Sequence, residues 1–348
     1  MRTVIEATSS PAKAGDCTSK AWGFSPVGTD HAMTDIEIRP WRPEDRPAIV
    51  AFQNARRPPH LQETVAEWER RDALRPAGEV FLRLCVGDPA IAYLAAGDRG
   101  TSAWRMEGVC GLGLWVARER QRRGIGAALY EKALEFARAR GLNRLTTYVR
   151  LFEPDEPAVR FLEKRGFVEV DRDVPVKLDL TMFDPAQFTS PAPDGVRFLS
   201  YAEAGDTEAN RRRLYALTHA LERDIPTNDV LPESPPFEEF SKDFDRPEWD
   251  SNALALAETA AGEWVGLTQL GFQENTNIAW TFLTGVLPDY RGKGIALALK
   301  LRAIQAALRR GCPLITTENH EDNAPMRAIN RKLGFTPDAP GVSYSRDL

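Results

Sequence analysis

The sequence predicts an α+β fold made of two similar domains, each a mixed, mostly antiparallel twisted sheet flanked by helices. Three observations lead to this prediction. A glycine-rich turn between an apolar strand and a helix occurs twice. Short stretches of alternating apolar residues precede each turn, which is typical of antiparallel strands. A proline-rich connector separates the two halves.

The internal repeat is defined by two landmarks. Gly124 corresponds to Gly294, and the later Gly166-Phe167 pair corresponds to Gly334-Phe335, so the offsets are 170 and 168 residues. Two landmarks at nearly one offset indicate a duplicated domain. The predicted organisation is an N-terminal extension at 1–33, a first copy at 34–180, a linker at 181–195 and a second copy at 196–348. The extension is predicted to be flexible, and Met33 is an alternative start of the protein.

Each copy has the same predicted order of elements. A short strand opens the copy, helical sequence follows, and alternating strands lead to a central strand at 109–116 or 278–286. The helix after the turn ends at Gly141 or Gly311, which are suited to be C-terminal caps. A further strand, a short helix and closing strands complete each copy.

Composition argues against several classes of protein. A net charge of −5, from 45 basic and 50 acidic residues, disfavours a nucleic-acid partner. No uncharged apolar run approaches 18 residues, so we expect no membrane partner. The four histidines lack metal-ligand spacing and the four cysteines form no paired motif. We therefore expect no metal and a reducing, cytoplasmic setting.

The glycine turns are candidate phosphate sites. The first N–H groups of a helix have no intrahelical partner, and glycine lets the backbone approach an anion closely. Basic residues accompany both turns: Arg118, Arg120, Arg122 and Arg123 in the first copy, and Arg291, Lys293 and Lys300 in the second.

These motifs resemble the GNAT superfamily of acyl-CoA N-acetyltransferases. The matching turn residues are Gln121, Gly124 and Gly126 in the first copy and Arg291, Gly294 and Ala296 in the second. A later family element runs from Asn323 to Phe335, with a counterpart from Asp155 to Phe167. The chain is similar to the tandem arrangement of bacterial, mycothiol synthase-like double-GNAT proteins, from Thr34 nearly to its end.

The resemblance implies an acetyl-CoA donor, with its pyrophosphate on the turn and its pantetheine arm between splayed central strands. It implies cofactor-binding residues in both copies. These are Val116, Gln121, Arg122, Arg123, Gly124, Ile125, Gly126 and Ala127, and Val286, Arg291, Gly292, Lys293, Gly294, Ile295, Ala296, Asn319 and Asn323.

The sequence departs from the family at the tyrosine that usually protonates the leaving thiolate. That position holds Leu162 in the first copy and Asn330 in the second. Leucine cannot donate a proton, whereas asparagine can donate a hydrogen bond without titrating. We therefore predict Asn330 as a catalytic residue of the second copy.

Transfer to an amine also needs a group that accepts the amine proton. Glu318, at the end of a predicted strand, is the first candidate for this base, and Asp224 and His320 are alternatives. Tyr290 and Tyr344 are candidates to replace the missing acid.

The predicted function is acetyl-CoA-dependent N-acetylation of a small-molecule amine, with the chemistry favoured in the second copy. An acid-rich segment at 222–250 would attract a cationic acceptor, although a solvated surface loop explains it equally well. Three alternatives stay open: a non-catalytic acyl-CoA-binding regulatory or scaffold protein, an aminoacyl-tRNA-dependent transferase, and acetylation of protein lysines. We expect a monomer or a weak homodimer.

Overall fold

The computed structural model describes residues 36–102, 104–153, 156–188, 193–228, 232–246, 249–273 and 275–348. The predicted extension at 1–33 and Asp155 lie outside these ranges. Contacts within the chain divide it into two compact units. One unit is Tyr148–Ser345, and the other contains the described residues up to Thr147 together with Arg346–Leu348. The repeat boundaries at 180 and 196 stay a prediction.

Both halves of the chain contain strands and helices in a similar order. The first half contains β1 (Ile38–Pro40), α1 (Arg46–Asn54), α2 (Val65–Ala73), β2 (Phe81–Val86), β3 (Ala92–Asp98), β4 (Val109–Val116), α3 (Ile125–Ala139), β5 (Arg144–Arg150), α4 (Pro157–Glu163), β6 (Val168–Asp173) and β7 (Val176–Asp179). The second half contains β8 (Val196–Ser200), α5 (Tyr201–Ala204), α6 (Glu208–Glu222), α7 (Phe237–Ser241), β9 (Leu254–Thr259), β10 (Trp264–Phe272), β11 (Ala279–Val286), α8 (Ile295–Arg309), β12 (Leu314–Thr317), α9 (Ala324–Lys332), β13 (Thr336–Pro337) and β14 (Gly341–Asp347).

In the part of the chain that the structure describes, the strands form two seven-stranded sheets. The first sheet has the order β1-β2-β3-β4-β5-β14-β6, and the second has the order β8-β9-β10-β11-β12-β7-β13. The pairs β4–β5 and β11–β12 are parallel. The pairs from β1 to β4 and from β8 to β11 are antiparallel. The predicted α+β class, with mixed and mostly antiparallel sheets, is confirmed.

The closing strands differ from the prediction that each copy completes its own sheet. β7, at the end of the first copy, pairs with β12, and β14, at the end of the chain, pairs with β6. Leu178 and Leu180 are buried in one cluster with Ile315 and Phe335, so burial of apolar side chains holds β7 in the second sheet.

The helices that follow the turns are held by burial of apolar side chains. In α8 the buried residues Ile295, Leu299 and Ala303 recur every four residues, which places them on a single face. The predicted caps are present, since Gly141 and Gly311 have φ values of 68° and 72° after α3 and α8. Within the ranges given above, no helix combines the length and apolarity needed to span a membrane.

Candidate active site

Each sheet opens at its centre. β11 and β12 pair only at Ala279–Ile315 and Trp280–Thr316, yet β11 continues to Val286. In the first sheet, the pairing of β4 with β5 ends at Gly111–Thr146, and β4 continues to Val116. The splayed central strands that the GNAT resemblance implies are therefore present in both sheets.

The glycine turns have the backbone geometry of an anion site. Gly124 and Gly294 precede α3 and α8 with φ values of 82° and 80°, a left-handed conformation that favours glycine. A β-carbon at Gly292 or Gly294 would meet no atom within 4 Å outside the adjacent residues, so the turn is open. The first-turn N–H groups of each helix can therefore reach a phosphate, and the residues present fit a coenzyme A diphosphate.

The first residue of each turn motif binds the end of the central strand. Gln121 Nε2 donates to the Val116 carbonyl at 3.1 Å, and Arg291 Nε donates to the Val286 carbonyl at 2.9 Å. Arg291 also forms an ion pair with Asp224, at 2.5 Å between Nη2 and Oδ2. Asp224 is thus occupied by the turn, which argues against its role as the base.

The charged residues of the turns differ in exposure. Arg122, Arg123 and Lys293 are exposed, and Lys293 Nζ donates to the Asp289 carbonyl at 3.0 Å. Lys300 was predicted beside the turn, but it is only 2% exposed and its Nζ lies 5.1 Å from the centre of the Phe335 ring. It belongs to the interior because α8 turns that side chain toward the core. Burial lowers the pKa of Lys300 to about 7.

The remaining predicted turn residues take three positions. Ile125 and Ile295 are buried at the start of their helices. Gly126, Ala127 and Ala296 are half-buried in the first helical turn. Asn323 is the N-cap of α9, and its Oδ1 accepts a hydrogen bond from the Met326 backbone N–H at 3.3 Å.

The second sheet has two distinct faces near its opening. Leu221 of α6 lies 3.0 Å from a β-carbon placed at Gly285, whereas the next residue, Val286, packs with Ile295 of α8. On the neighbouring strand, Ile315 packs in the α8 cluster. Successive strand residues point to opposite faces, so α6 and α8 cover opposite sides of the opening.

This alternation separates two predicted site residues. The Val174 N–H donates to the Asn319 carbonyl at 2.7 Å, which extends the antiparallel pairing beyond the end of β12. Counting from Ile315, Glu318 therefore faces the α6 side and Asn319 faces the α8 side. The predicted base and the predicted cofactor-binding amide lie on opposite faces of one strand.

Glu318 forms an ion pair. The Arg150 guanidinium donates to Glu318 Oε1, and its other arm donates to the Ala339 carbonyl at 2.9 Å. Within the described part of the chain, Oε2 has no hydrogen-bond donor, and the side chain is 29% exposed. The carboxylate is therefore oriented by Arg150 and keeps one oxygen that can accept a proton.

Asn330 is buried, at 1% exposure, and its catalytic role stays a prediction. Its Nδ2 donates to Asn319 Oδ1 at 2.5 Å. Its burial follows from the packing of α9, whose inner face carries Asn330 against the strand end. The half-buried Asn319 is the member of the pair that lies closer to solvent.

His320 is not available as a base. It is buried, its Nε2 lies 2.5 Å from Asp171 Oδ1, and its Nδ1 accepts the Asp322 backbone N–H at 3.1 Å. Thr227 Oγ1 donates to the other Asp171 oxygen at 2.8 Å. The sequence carries no local signal for this cluster, because Asp171 lies far from His320 along the chain.

The candidate replacement acids have other partners. The Tyr290 hydroxyl donates to Glu263 Oε2 at 3.3 Å, on the turn. Tyr344 lies in β14, in the first sheet, where burial and the nearby carboxylates of Glu169 and Glu163 raise its pKa. Neither tyrosine lies on α9, which carries the family's acid position.

The acid-rich segment is partly neutralised by its own neighbours. Lys242 pairs with Glu239 at 2.7 Å, and Arg310 pairs with Asp250 at 3.5 Å. Residues 229–231 and 247–248 of this segment lie outside the described ranges.

The two copies differ at the central strand. β10 and β11 are in register up to Gln269–Leu283, and the next pair is Leu270–Thr281, so Phe282 bulges out. The corresponding register of β3 and β4 has no shift. In β4, the Trp115 ring covers Gly113, since a β-carbon there would lie 2.4 Å from that ring.

Comparison with known proteins adds independent evidence. The model of the Acetyltransferase (GNAT) family matches residues 33–167 and 216–335. The mycothiol acetyltransferase of Saccharomonospora viridis is 27% identical over 235 residues, which cover 65% of this chain and 71% of that protein.

Two solved structures share the fold. A GCN5-related N-acetyltransferase from Sphaerobacter thermophilus has a TM-score of 0.69 at 20% identity, covering 91% of this chain and 97% of that one. A tandem GNAT protein from the clavulanic acid biosynthesis pathway also has a TM-score of 0.69, at 21% identity, covering 90% and 98%. With the family model matching both repeats, this chain belongs to the GNAT family of acetyltransferases and is a tandem-domain N-acetyltransferase.

Proposed function

We propose that this protein transfers an acetyl group from acetyl-CoA to an amine of a small molecule, and that the reaction takes place in the second copy. The observation that carries the choice of copy is the bulge at Phe282. A bulge leaves a residue outside the ladder, so its backbone groups are free for other partners. Phe282 lies beyond the last β11–β12 pair, where the strands have separated.

The central strand of the first copy has no such bulge. It pairs regularly with β3, and the Trp115 ring covers Gly113 of β4. Trp115 is held there by stacking on Tyr93, at 5.7 Å between ring centres. Leu162, at the family's acid position, is buried. These contacts support a first copy that keeps the turn but does not carry out transfer.

Bound acetyl-CoA supplies a thioester carbonyl as the electrophile. The α8 turn binds its diphosphate through the first-turn N–H groups, and the bulged backbone near Phe282 polarises the carbonyl. Glu318 Oε2, on the α6 face, accepts a proton from the incoming amine, and Arg150 keeps the carboxylate in place.

The acceptor is proposed to be an amine that enters from the α6 face. A positive charge on the acceptor is compatible with the net negative charge of the 222–250 segment.

We also propose a cytoplasmic setting, which the free and buried Cys85, Cys110 and Cys312 support. The proposed oligomeric state is a monomer or a weak homodimer. Cell fractionation and sedimentation test these two points.

The test is release of free coenzyme A from acetyl-CoA in the presence of a panel of cationic amines, neutral amines and a lysine peptide. Gly294→Glu places a carboxylate at the second turn, and Gly124→Glu does the same at the first. Gly294→Ala and Gly124→Ala are matched controls, because they share the left-handed strain without the charge. We expect Gly294→Glu to abolish transfer and Gly124→Glu to retain it.

Two outcomes would contradict the proposal. Loss of transfer only in Gly124→Glu would place the chemistry in the first copy. Binding of acetyl-CoA without turnover across the panel would favour a non-catalytic acyl-CoA-binding regulatory or scaffold protein.

A further inference from the structure

We infer that Asn319 donates a hydrogen bond to the leaving sulfur of coenzyme A, and that buried Asn330 is the positioning residue that orients it. The inference rests on the proposed function and names how the second copy works without a titrating acid. The juxtaposition that carries it is the direct bond from Asn330 Nδ2 to Asn319 Oδ1, at 2.5 Å.

The bond determines how the Asn319 amide is oriented. With Oδ1 turned toward Asn330, the planar amide directs Nδ2 away from α9. The backbone carbonyl of Asn319 is also held, by the Val174 N–H at 2.7 Å. In the described chain no protein group accepts a hydrogen bond from Asn319 Nδ2. Asn319 therefore presents two oriented donors with no acceptor of their own.

The position of Asn319 matches the leaving group rather than the amine. Asn319 lies three residues beyond Thr316, the last residue of β12 that pairs with β11, where the sheet is open. It faces the α8 side, whose first turn is the phosphate site. Glu318 faces the α6 side. The strand thus separates a donor for the departing sulfur from an acceptor for the amine proton.

A purely structural role does not explain Asn330. The corresponding residue of the first copy is Leu162, which is buried at 4% exposure, so an apolar residue is accepted at this position. Asn330 Oδ1 is buried and accepts no hydrogen bond from the described residues, an unfavourable state for a polar atom. The residues 170 and 168 positions before Asn319 are Val149 and Leu151, and neither carries an amide. The first copy, whose described central strand has no bulge, therefore has no amide at the positions that match this pair.

The chemical step balances without an acid. As the bond between carbonyl carbon and amine nitrogen forms and the carbon–sulfur bond breaks, sulfur takes the electron pair and leaves as thiolate. Asn319 Nδ2 stabilises that charge by a charge-assisted hydrogen bond. The amine proton goes to Glu318, and the thiolate is protonated by water after release.

The first test is a binding experiment that needs no turnover. Titration calorimetry compares coenzyme A with desulfo-coenzyme A between pH 6.5 and 9, in a Gly124→Glu background so that only the second turn is titrated. A thiol ordinarily ionises near pH 8.5. We expect coenzyme A to gain about tenfold in affinity over desulfo-coenzyme A as the thiolate forms, the size of one hydrogen bond to a charged group. Asn319→Ala and Asn330→Leu should both remove this gain.

The second test is kinetic. Asn330→Leu should lower kcat about 10- to 100-fold with an unchanged KM for acetyl-CoA, because only the leaving group is affected. The double variant Asn319→Ala/Asn330→Leu should have the same kcat as Asn319→Ala alone, since both changes act on the same donor. Asn330→Asp should behave like Asn319→Ala, because a carboxylate cannot donate to Oδ1. Asn252→Ala, in the turn before β9 where the side chain bonds Asp250, is the control.

The outcomes separate this inference from the proposed function. If the wild type binds no acetyl-CoA, the proposed function fails. If coenzyme A binds but shows no pH-dependent advantage over desulfo-coenzyme A, the role of Asn319 is overturned while the function stands. If Asn330→Leu keeps the advantage in a protein with unchanged melting temperature, Asn330 is not a positioning residue.

Discussion

Lys300→Met should stabilise this protein at neutral pH. Lys300 lies within α8, is 2% exposed and has its Nζ 5.1 Å from the centre of the Phe335 ring. Burial lowers its pKa from 10.5 to about 7, so folding removes the ammonium group from water, and no ion-pair partner for it lies among the residues that the structure describes. Methionine keeps the unbranched shape and removes the charge.

The magnitude follows from the change in pKa. One pH unit corresponds to about 1.4 kcal/mol, so a decrease from 10.5 to about 7 corresponds to roughly 5 kcal/mol of unfavourable free energy below pH 7. Between pH 7 and 10.5 the unfolded chain binds the proton and the folded chain does not. The free energy of unfolding of the wild type therefore rises with pH in that window.

Urea unfolding at pH 7 and pH 9 measures both effects. The advantage of Lys300→Met over the wild type should shrink by about 2 kcal/mol between these two pH values. Lys132→Met, on the corresponding helix α3, removes a charge that pairs with Glu135 at 2.8 Å. It should change stability by less than about 0.5 kcal/mol at either pH. An advantage that is the same at pH 7 and pH 9, or a Lys300→Met protein less stable than the wild type, would refute the argument.

Three further predictions concern stability, thiol reactivity and the second turn. Asp72→Asn should lower the free energy of unfolding in urea by about 3–5 kcal/mol, because the buried Arg83 guanidinium, 2.9 Å from Asp72, loses its counter-charge. A decrease below about 1 kcal/mol would contradict this prediction. Burial raises the pKa of Cys85 and of Cys110 to about 12, so both thiols should resist iodoacetamide at pH 8 until guanidinium unfolds the chain. Labelling of either cysteine in the native protein, located by mass spectrometry, would disprove its burial. Gly294→Ala should lower the free energy of unfolding by about 1–2 kcal/mol, because alanine is strained at a φ of 80°. It should keep the affinity for acetyl-CoA within a few-fold, whereas Gly294→Glu should weaken that affinity at least about 100-fold in calorimetry. Equal affinities of the two variants would exclude the turn as the phosphate site.

Local features were predictable from sequence for physical reasons. Gly294 marks the turn because a left-handed residue before a helix favours glycine, and the helix after it shows its apolar face in the spacing of Ile295 and Leu299. The central strand β11 was predicted within one residue because its apolar run lies directly before that turn. Such signals involve residues only a few positions apart.

The strand partners could not be predicted in the same way. The alternation in Val176–Asp179 indicates a strand, but nothing in that segment shows that it pairs with β12. The same holds for β14 and its partner β6. Pairing depends on which sheet edge is open when the chain has folded, and that edge is built from distant segments.

The candidate site also has features that the sequence predicts and features that only the tertiary structure shows. By itself, the sequence determined two repeats, two glycine turns, the loss of the family's tyrosine at Leu162 and Asn330, and the fold class. Only the tertiary structure decided that Asn330 is buried against Asn319, and that Lys300 lies in the core rather than at the turn. Backbone conformation is set by neighbouring residues, whereas burial and hydrogen-bond partners depend on packing between segments far apart in the chain.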